Sequence, residues 1–196
     1  MLKFRFTAAV FAAVFAALLG GPLAAEDAPR PKKPAVAGGK VKAVDAKGGT
    51  VTITRSVENK DQDVIVRFAA NAQIAVDGKV AKFEDVPVGA PHANVYGGKL
   101  EASQVADAEG LWVVGKTELV IFRKVSGDTL TFKPDGPPAN NPPDKTAKLA
   151  ADAKAMVGGK EGKLTDFKPG DRMTIRYTAD GKAIHSLART SAPKKK

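Results

Sequence analysis

Residues Arg67–Tyr96 read RFAANAQIAVDGKVAKFEDVPVGAPHANVY, and residues Lys148–Tyr177 read KLAADAKAMVGGKEGKLTDFKPGDRMTIRY. The two stretches lie at a constant offset without a gap: Asn71 over Asp152, Gly78 over Gly159, Lys79 over Lys160, Asp85 over Asp166, Gly89 over Gly170 and Tyr96 over Tyr177. A self-match of this length marks a duplicated structural unit. It speaks of architecture, two copies of one small module, and not of chemistry.

Working outward, Val41, Val44 and Thr50–Thr54 flank a Lys47-Gly48-Gly49 turn, a hairpin pattern. Val64–Phe68 reads as a third strand and Ile74–Val76 as a fourth that runs into the Asp77-Gly78 turn. Pro87 limits Phe83–Gly89 to a short helical turn or loop. Ala93–Tyr96 and Leu100–Val105, across Gly97-Gly98, read as the closing hairpin. In the second copy, Leu111–Val125 is the entry strand or strand pair, and Thr129–Phe132 follows the turn at Ser126-Gly127-Asp128. Lys148-Leu149, Ala155–Val157, a short turn at Leu164–Gly170 and a hairpin from Met173–Thr178 to Ala183–Leu187 complete it.

Short strands, Gly-centred turns and one brief helical interruption per module predict an all-β chain. It is expected to form two tandem small OB-like β-barrels with short helical turns, after an N-terminal signal segment. A pair of β-sandwich modules is the alternative. The copies differ most between their second and third strands. There the first has the polar loop Ser56–Asp63, and the second has the proline-rich stretch Lys133–Thr146, which cannot enter a ladder.

The expected domain limits are a signal peptide at 1–25, a flexible Pro/Lys linker at 26–38, a first barrel at 39–108, a second at 109–188 and a basic tail at 189–196. Lys3 and Arg5, the apolar run Thr7–Gly21 and the small residues ending at Ala25 have the layout of a secretory signal. The run is shorter than a comfortable bilayer span, and no second one follows, so no transmembrane segment is expected after signal removal. Export to the periplasm or the extracellular space is the expected localisation. The chain has no cysteine, so its modules rely on their cores rather than on disulfides. The formal charge is +10, but the basic residues gather at the ends: without the signal, residues 26–40 and the tail, the body from Val41 to Ser186 carries only +2.

The succession G-x-V-x-x-V-D-x-x-G-G-T-V-T-I (Gly39–Ile53), Val64-x-Val66, F-E-D-V-P-V-G (Phe83–Gly89) and Gly97-Gly98-Lys99-Leu100-Glu101-Ala102 resembles a class of exported bacterial domains of unknown function. In that class a small β-barrel repeat carries a G-x-V-x-x-I-D, T-L-T-V, D-L-x-x-G-D-x-V-x-V, D-G-x-x-x-A signature. The second copy is similar over Asp128–Leu187, through Thr129–Phe132, Lys168–Met173 and Asp180–Lys182, and departs at Lys116–Val125. The resemblance implies a tandem OB-like fold and an exported habit. It brings no catalytic residues.

No set of side chains in the sequence points to catalysis. Two histidines, His92 and His185, and no cysteine fall short of a zinc site. Asn59, Asp61 and Asp63 alternate as calcium ligands do, but lack the glycine and distal glutamate of an EF-hand. Asp180, His185 and Ser186 do not make a triad, because neighbouring strand residues point to opposite faces. Asp85 and Asp166 read as caps of the short helical turns. No cofactor or metal is expected, and the chain is read as non-enzymatic.

The candidate contact residues are Tyr96 and Tyr177, which serve either as stacking platforms or as barrel plugs, and Lys194, Lys195 and Lys196 in the tail. Trp112 and Phe122, at the start of the second module, are expected in the core or between modules. Specific nucleic-acid binding is not expected of a near-neutral body with few aromatics. The expected function is a non-catalytic exported binding or assembly module of the cell envelope, engaging an envelope protein or a polyanion through its tails. A periplasmic protein that binds a small ligand or divalent cation is the alternative.

Overall fold

A computed structural model of the chain describes Ala28 and residues 31–136 and 142–189. The signal segment at 1–25 and Lys194–Lys196 lie outside the described residues. Two closed five-stranded barrels follow one another. In the first, strands β1 (Ala35–Asp45), β2 (Thr50–Val57) and β3 (Lys60–Val76) form an antiparallel meander. Strand β4 (Lys79–Ala81) folds back on the end of β3, and β5 (His92–Tyr96) returns beside β1. The hairpin strand β6 (Lys99–Glu101) leads into β7 (Gln104–Val114), which is antiparallel to β5 and parallel to β3. The circuit β1-β2-β3-β7-β5-β1 is the OB arrangement.

The second barrel repeats it with β8 (Thr117–Ser126), β9 (Thr129–Pro134), β10 (Lys145–Val157), β12 (Arg172–Tyr177) and β13 (Ile184–Arg189), and β11 (Lys160–Gly162) again folds back on the third strand. Its parallel closure joins β10 to β13. Each barrel has one short 3-10 turn, at Phe83–Asp85 and Leu164–Asp166. Asp85 accepts the Lys82 N–H at 2.9 Å and Asp166 the Lys163 N–H at 2.8 Å, so both aspartates tie down the turn start.

Alternation drives burial. In β2, Val51 and Ile53 point inward; in β3, Val64 and Val66; in β7, Leu111 and Val113; all are fully or nearly fully buried. Phe132, Leu130, Met173, Ile175, Ile184 and Leu187 fill the second interior. Phe68 against Phe83 and Phe122 against Phe167 seat each 3-10 turn on its barrel, at ring centroid distances of 5.3 and 5.9 Å.

The structure redraws several sequence boundaries. Strand β1 begins at Ala35, inside the stretch expected to be linker. Ala35–Gly39 pair with β5, and Gly39 comes so close to β2 that a Cβ there would stand 2.3 Å from the Thr54 carbonyl oxygen. Val64–Phe68 and Ile74–Val76 belong to one bent strand: Asn71 makes no reversal there, and the register against β7 slips between Phe68 and Gln73. The loop Ser56–Asp63 is a tight hairpin: Glu58 and Asn59 both adopt positive φ, and Asp61 and Asp63 sit in the ladder opposite Ser56 and Thr54. Strand β7 runs through the boundary expected at 108/109, so Trp112 belongs to the first barrel. Only Gly115-Lys116 separates β7 from β8.

The ladder also corrects the repeat alignment. Val95 pairs with Leu111 on β7, which lies opposite Ile74 of β3; Ile175 pairs with Leu187 on β13, which lies opposite Ala155 of β10. Val95 therefore corresponds to Ile175 and Ala93 to Met173, one residue off the ungapped offset. The second copy is one residue shorter between its Gly170 and Arg172 than the first between Gly89 and His92. Tyr96 corresponds in place to Arg176, not to Tyr177.

Candidate functional site at the seam between the barrels

The barrels are docked through the β3–β4 turn of the first and the β12–β13 turn of the second. The second turn is built locally: Thr178 N–H donates to the Ala183 carbonyl at 2.7 Å, and Thr178 Oγ1 to Asp180 Oδ1 at 2.6 Å. It presents Ala179, which is 2 % exposed and packs into the hydrophobic core of the first barrel. The Ala179 N–H donates to Asp77 Oδ2 at 2.8 Å. Beside it Lys79 Nζ donates to an Asp152 carboxylate oxygen across the seam. Gly115 lies so close to the same turn that a Cβ would stand 2.2 Å from the carbonyl oxygens of both Tyr177 and Thr178.

The electrostatics follow from this packing. Burial lifts the Asp77 carboxyl above its ordinary value, against the lowering effect of the Ala179 and Gly115 N–H groups and of His185. Its Oδ1 is buried and has no hydrogen-bond partner among the described residues. The Lys79 hydrogen bond holds Asp152 below the usual carboxylate value. His185, on β13, is near enough for its charge to act on both aspartates.

A groove of about 250 Å³ opens on the outer face alongside this seam. Its walls are Asn94 and Tyr96 from β5, Trp112 and Val114 from β7, Pro31 from the segment before β1 and Arg176 from β12. The lining follows from strand alternation. Ala93, Val95, Leu111 and Val113 face the core, which turns their neighbours outward. The segment before β1 is held by Lys33, which pairs with Glu109 Oε2 at 2.7 Å, and Ala28 N–H donates to the Gly78 carbonyl at 2.7 Å.

Tyr96 thus lines the groove, half-buried, on the outside of its barrel. Tyr177 is elsewhere: it packs against the second core, and its hydroxyl donates to Glu118 Oε2 at 3.3 Å. Burial and the Glu118 carboxylate push its ionisation up to about 12. Burial raises Glu118 in turn, but hydrogen bonds from Lys116 and Tyr177 outweigh it and hold that carboxyl below its usual value. His92 is exposed at the start of β5, on a different barrel from His185. Asp63 is engaged by Lys42 and by Thr54 Oγ1, and Asn59 sits in the turn at positive φ. Among the described residues no three His, Cys, Asp or Glu side chains converge as metal ligands. A second depression, of about 600 Å³, lies over the β6–β7 hairpin, lined by residues that include Lys99, Glu101 and Gln104.

Trp112 and Arg176 were not singled out by sequence reasoning as groove residues. The signal was available in principle: Asn94-x-Tyr96 and Trp112-x-Val114 alternate against buried apolar neighbours. No protein-family model and no curated protein matches the chain. Among the described residues no helix is long and apolar enough to cross a membrane.

Proposed function

We propose that the chain is a non-catalytic binding or assembly module of the cell envelope, working after export with its two barrels as one rigid scaffold. Export and a bacterial source rest on the secretory layout of residues 1–25 and on the resemblance described above. The observation that carries the binding reading is the docked seam: Ala179 inserted in the partner barrel, the Asp77 hydrogen bond and the Lys79–Asp152 pair fix a surface that neither barrel has alone. Both interiors are packed with aliphatic and aromatic side chains, so recognition falls to outer faces and loops. The basic residues after Arg189 add attraction for an anionic partner, which salt would weaken.

The test is capture from envelope extract by the mature chain, with and without residues 190–196, at low and high salt. The truncation starts after Arg189 because that residue belongs to β13 and bonds Asp171 at 3.3 Å. Retention that depends on the tail and falls with salt is expected. Equal retention in all four conditions would sink the anionic partner, and no retention at all would sink the binding module.

A further inference from the structure

The seam groove has the chemistry of a particular ligand. Asn94, Tyr96, Trp112 and Arg176 line it, and none of their side chains makes a hydrogen bond or ion pair among the described residues. Strand pairing sets Asn94 of β5 beside Trp112 of β7, with Tyr96 on the same outer face, and Arg176 of β12 borders them. Aromatic side chains with a polar tip suit ligands that have one flat apolar face and one polar edge. Convergent donors and acceptors fix the orientation of a ligand in such a cleft. Among the described residues no acidic side chain lines the groove, and Arg176 is the one charged residue in that lining. A single guanidinium matches one carboxylate in two-pronged geometry. Among the described lining residues there is no second cation, so a single negative charge is the better match than the double charge of a phosphate. At about 250 Å³ it has room for one ring, below the range of about 300–1,000 Å³ typical of drug-sized ligands.

We propose that this groove binds one carboxylate-bearing sugar ring, with the ring face on Tyr96 and Trp112, the carboxylate on Arg176 and a hydroxyl on Asn94. The proposal rests on the binding-module reading and gives it a ligand class. The site exists only in the docked pair, since Arg176 comes from the second barrel and the rest of the lining from the first barrel and the segment before it.

Trp112 is the only tryptophan, so its fluorescence reports on the groove directly. The intact mature chain is titrated with glucuronate, linear oligogalacturonate, glucose and N-acetylglutamate. A saturable change in emission with glucuronate or oligogalacturonate is expected, with glucose about tenfold weaker or more, the loss expected for a charged hydrogen bond. Arg176→Gln should erase the preference for the acid, and Tyr96→Ala should weaken every sugar; unchanged circular dichroism and melting show that the variants are folded. Saturation by the oligomer alone would place the ligand in a polymer, and saturation by the monosaccharide would admit the free sugar.

No saturable change with either acid overturns the proposal. So does a response equal for glucose and glucuronate, or one as strong with N-acetylglutamate. If the sugars fail while envelope capture persists in the Tyr96→Ala/Arg176→Gln chain, the ligand class fails and the binding module stands. If the sugars bind but capture fails, the module reading fails alone.

Discussion

Asp77 of the first barrel accepts the backbone N–H of Ala179 of the second at 2.8 Å, through one carboxylate oxygen whose twin is buried without a partner among the described residues. The two sides of this carboxyl pull in opposite directions. The hydrogen bond favours the anion, while burial favours the acid and prevails, lifting the carboxyl above its ordinary value. The folded chain therefore holds this proton more tightly than the unfolded one. The stabilisation that protonation gives is fully present below the unfolded value and is lost as pH rises through the folded one. Asp77→Asn keeps an acceptor for Ala179 and removes the titration. Melting curves between pH 4 and pH 7 should show the wild type losing stability relative to Asp77→Asn as pH rises, and parallel curves would refute this.

Asp152 works in the other direction. Lys79 lowers its carboxyl, so the pair contributes above the unfolded value and is lost as pH falls through the lowered one. Both partners are partly solvent-exposed, which limits the gain to less than about 1 kcal/mol. In a double-mutant cycle of Lys79→Met and Asp152→Asn, a coupling of a few tenths of a kcal/mol or more at pH 7 should vanish in strong acid and shrink in molar salt.

Gly115 leaves no room for a side chain between the barrels. Gly115→Ala would drive a Cβ into two carbonyl oxygens of the Tyr177–Thr178 backbone, and the expected cost is about 1–3 kcal/mol in denaturant unfolding. Gly136, where a Cβ meets nothing within 4 Å and φ is not positive, is the matched control. Gly136→Ala should leave the midpoint essentially unchanged. If the two variants behave alike, the seam is looser than its geometry states.

Tyr177 gives an optical readout. Its hydroxyl is held by Glu118, and its ionisation is pushed up to about 12. Alkaline titration followed by phenolate absorbance should show a late phase that Tyr177→Phe removes. The chain has two tyrosines, so the amplitude to be lost is half the total. A late phase that survives the substitution would place the perturbed phenol elsewhere.

Leu111 and Leu187 occupy matching places in the two parallel closures, and each is essentially fully buried. Truncating either to alanine should cost about 2–5 kcal/mol. Because Ala179 seats in the first core, Leu111→Ala should also loosen the second barrel's β12–β13 turn, measurable as faster amide exchange at Thr178, whose N–H donates to the Ala183 carbonyl.

The duplication in the sequence carried the fold, because the repeated residues are those that make turns. Gly78 and Gly159, the capped 3-10 turns at Asp85 and Asp166, and the glycines at 89 and 170 recur where the chain must reverse, and alternation supplies the strands between them. The site was harder to read. An ungapped match slides over one missing residue before Arg172, and so set Tyr96 against Tyr177 although the ladder sets it against Arg176. Alternation holds the correction: Ala93 and Val95 face inward, as do Met173 and Ile175. The seam was invisible because its contacts join residues about a hundred positions apart, such as Asp77 with Ala179, and no local periodicity records them. The expected linker was misjudged for a related reason. Ala35–Gly39 contains little apolar alternation, and its extended form is imposed by the β5 backbone beside it.

Ala179 bears on how such a protein can be cut and recombined. A gene fragment stopping at Val114 would encode a complete set of strands for the first barrel but leave the end of that barrel uncorked, with Asp77 stripped of its backbone donor. The heritable unit is the couple, and shuffling either half into another protein would require a substitute stopper.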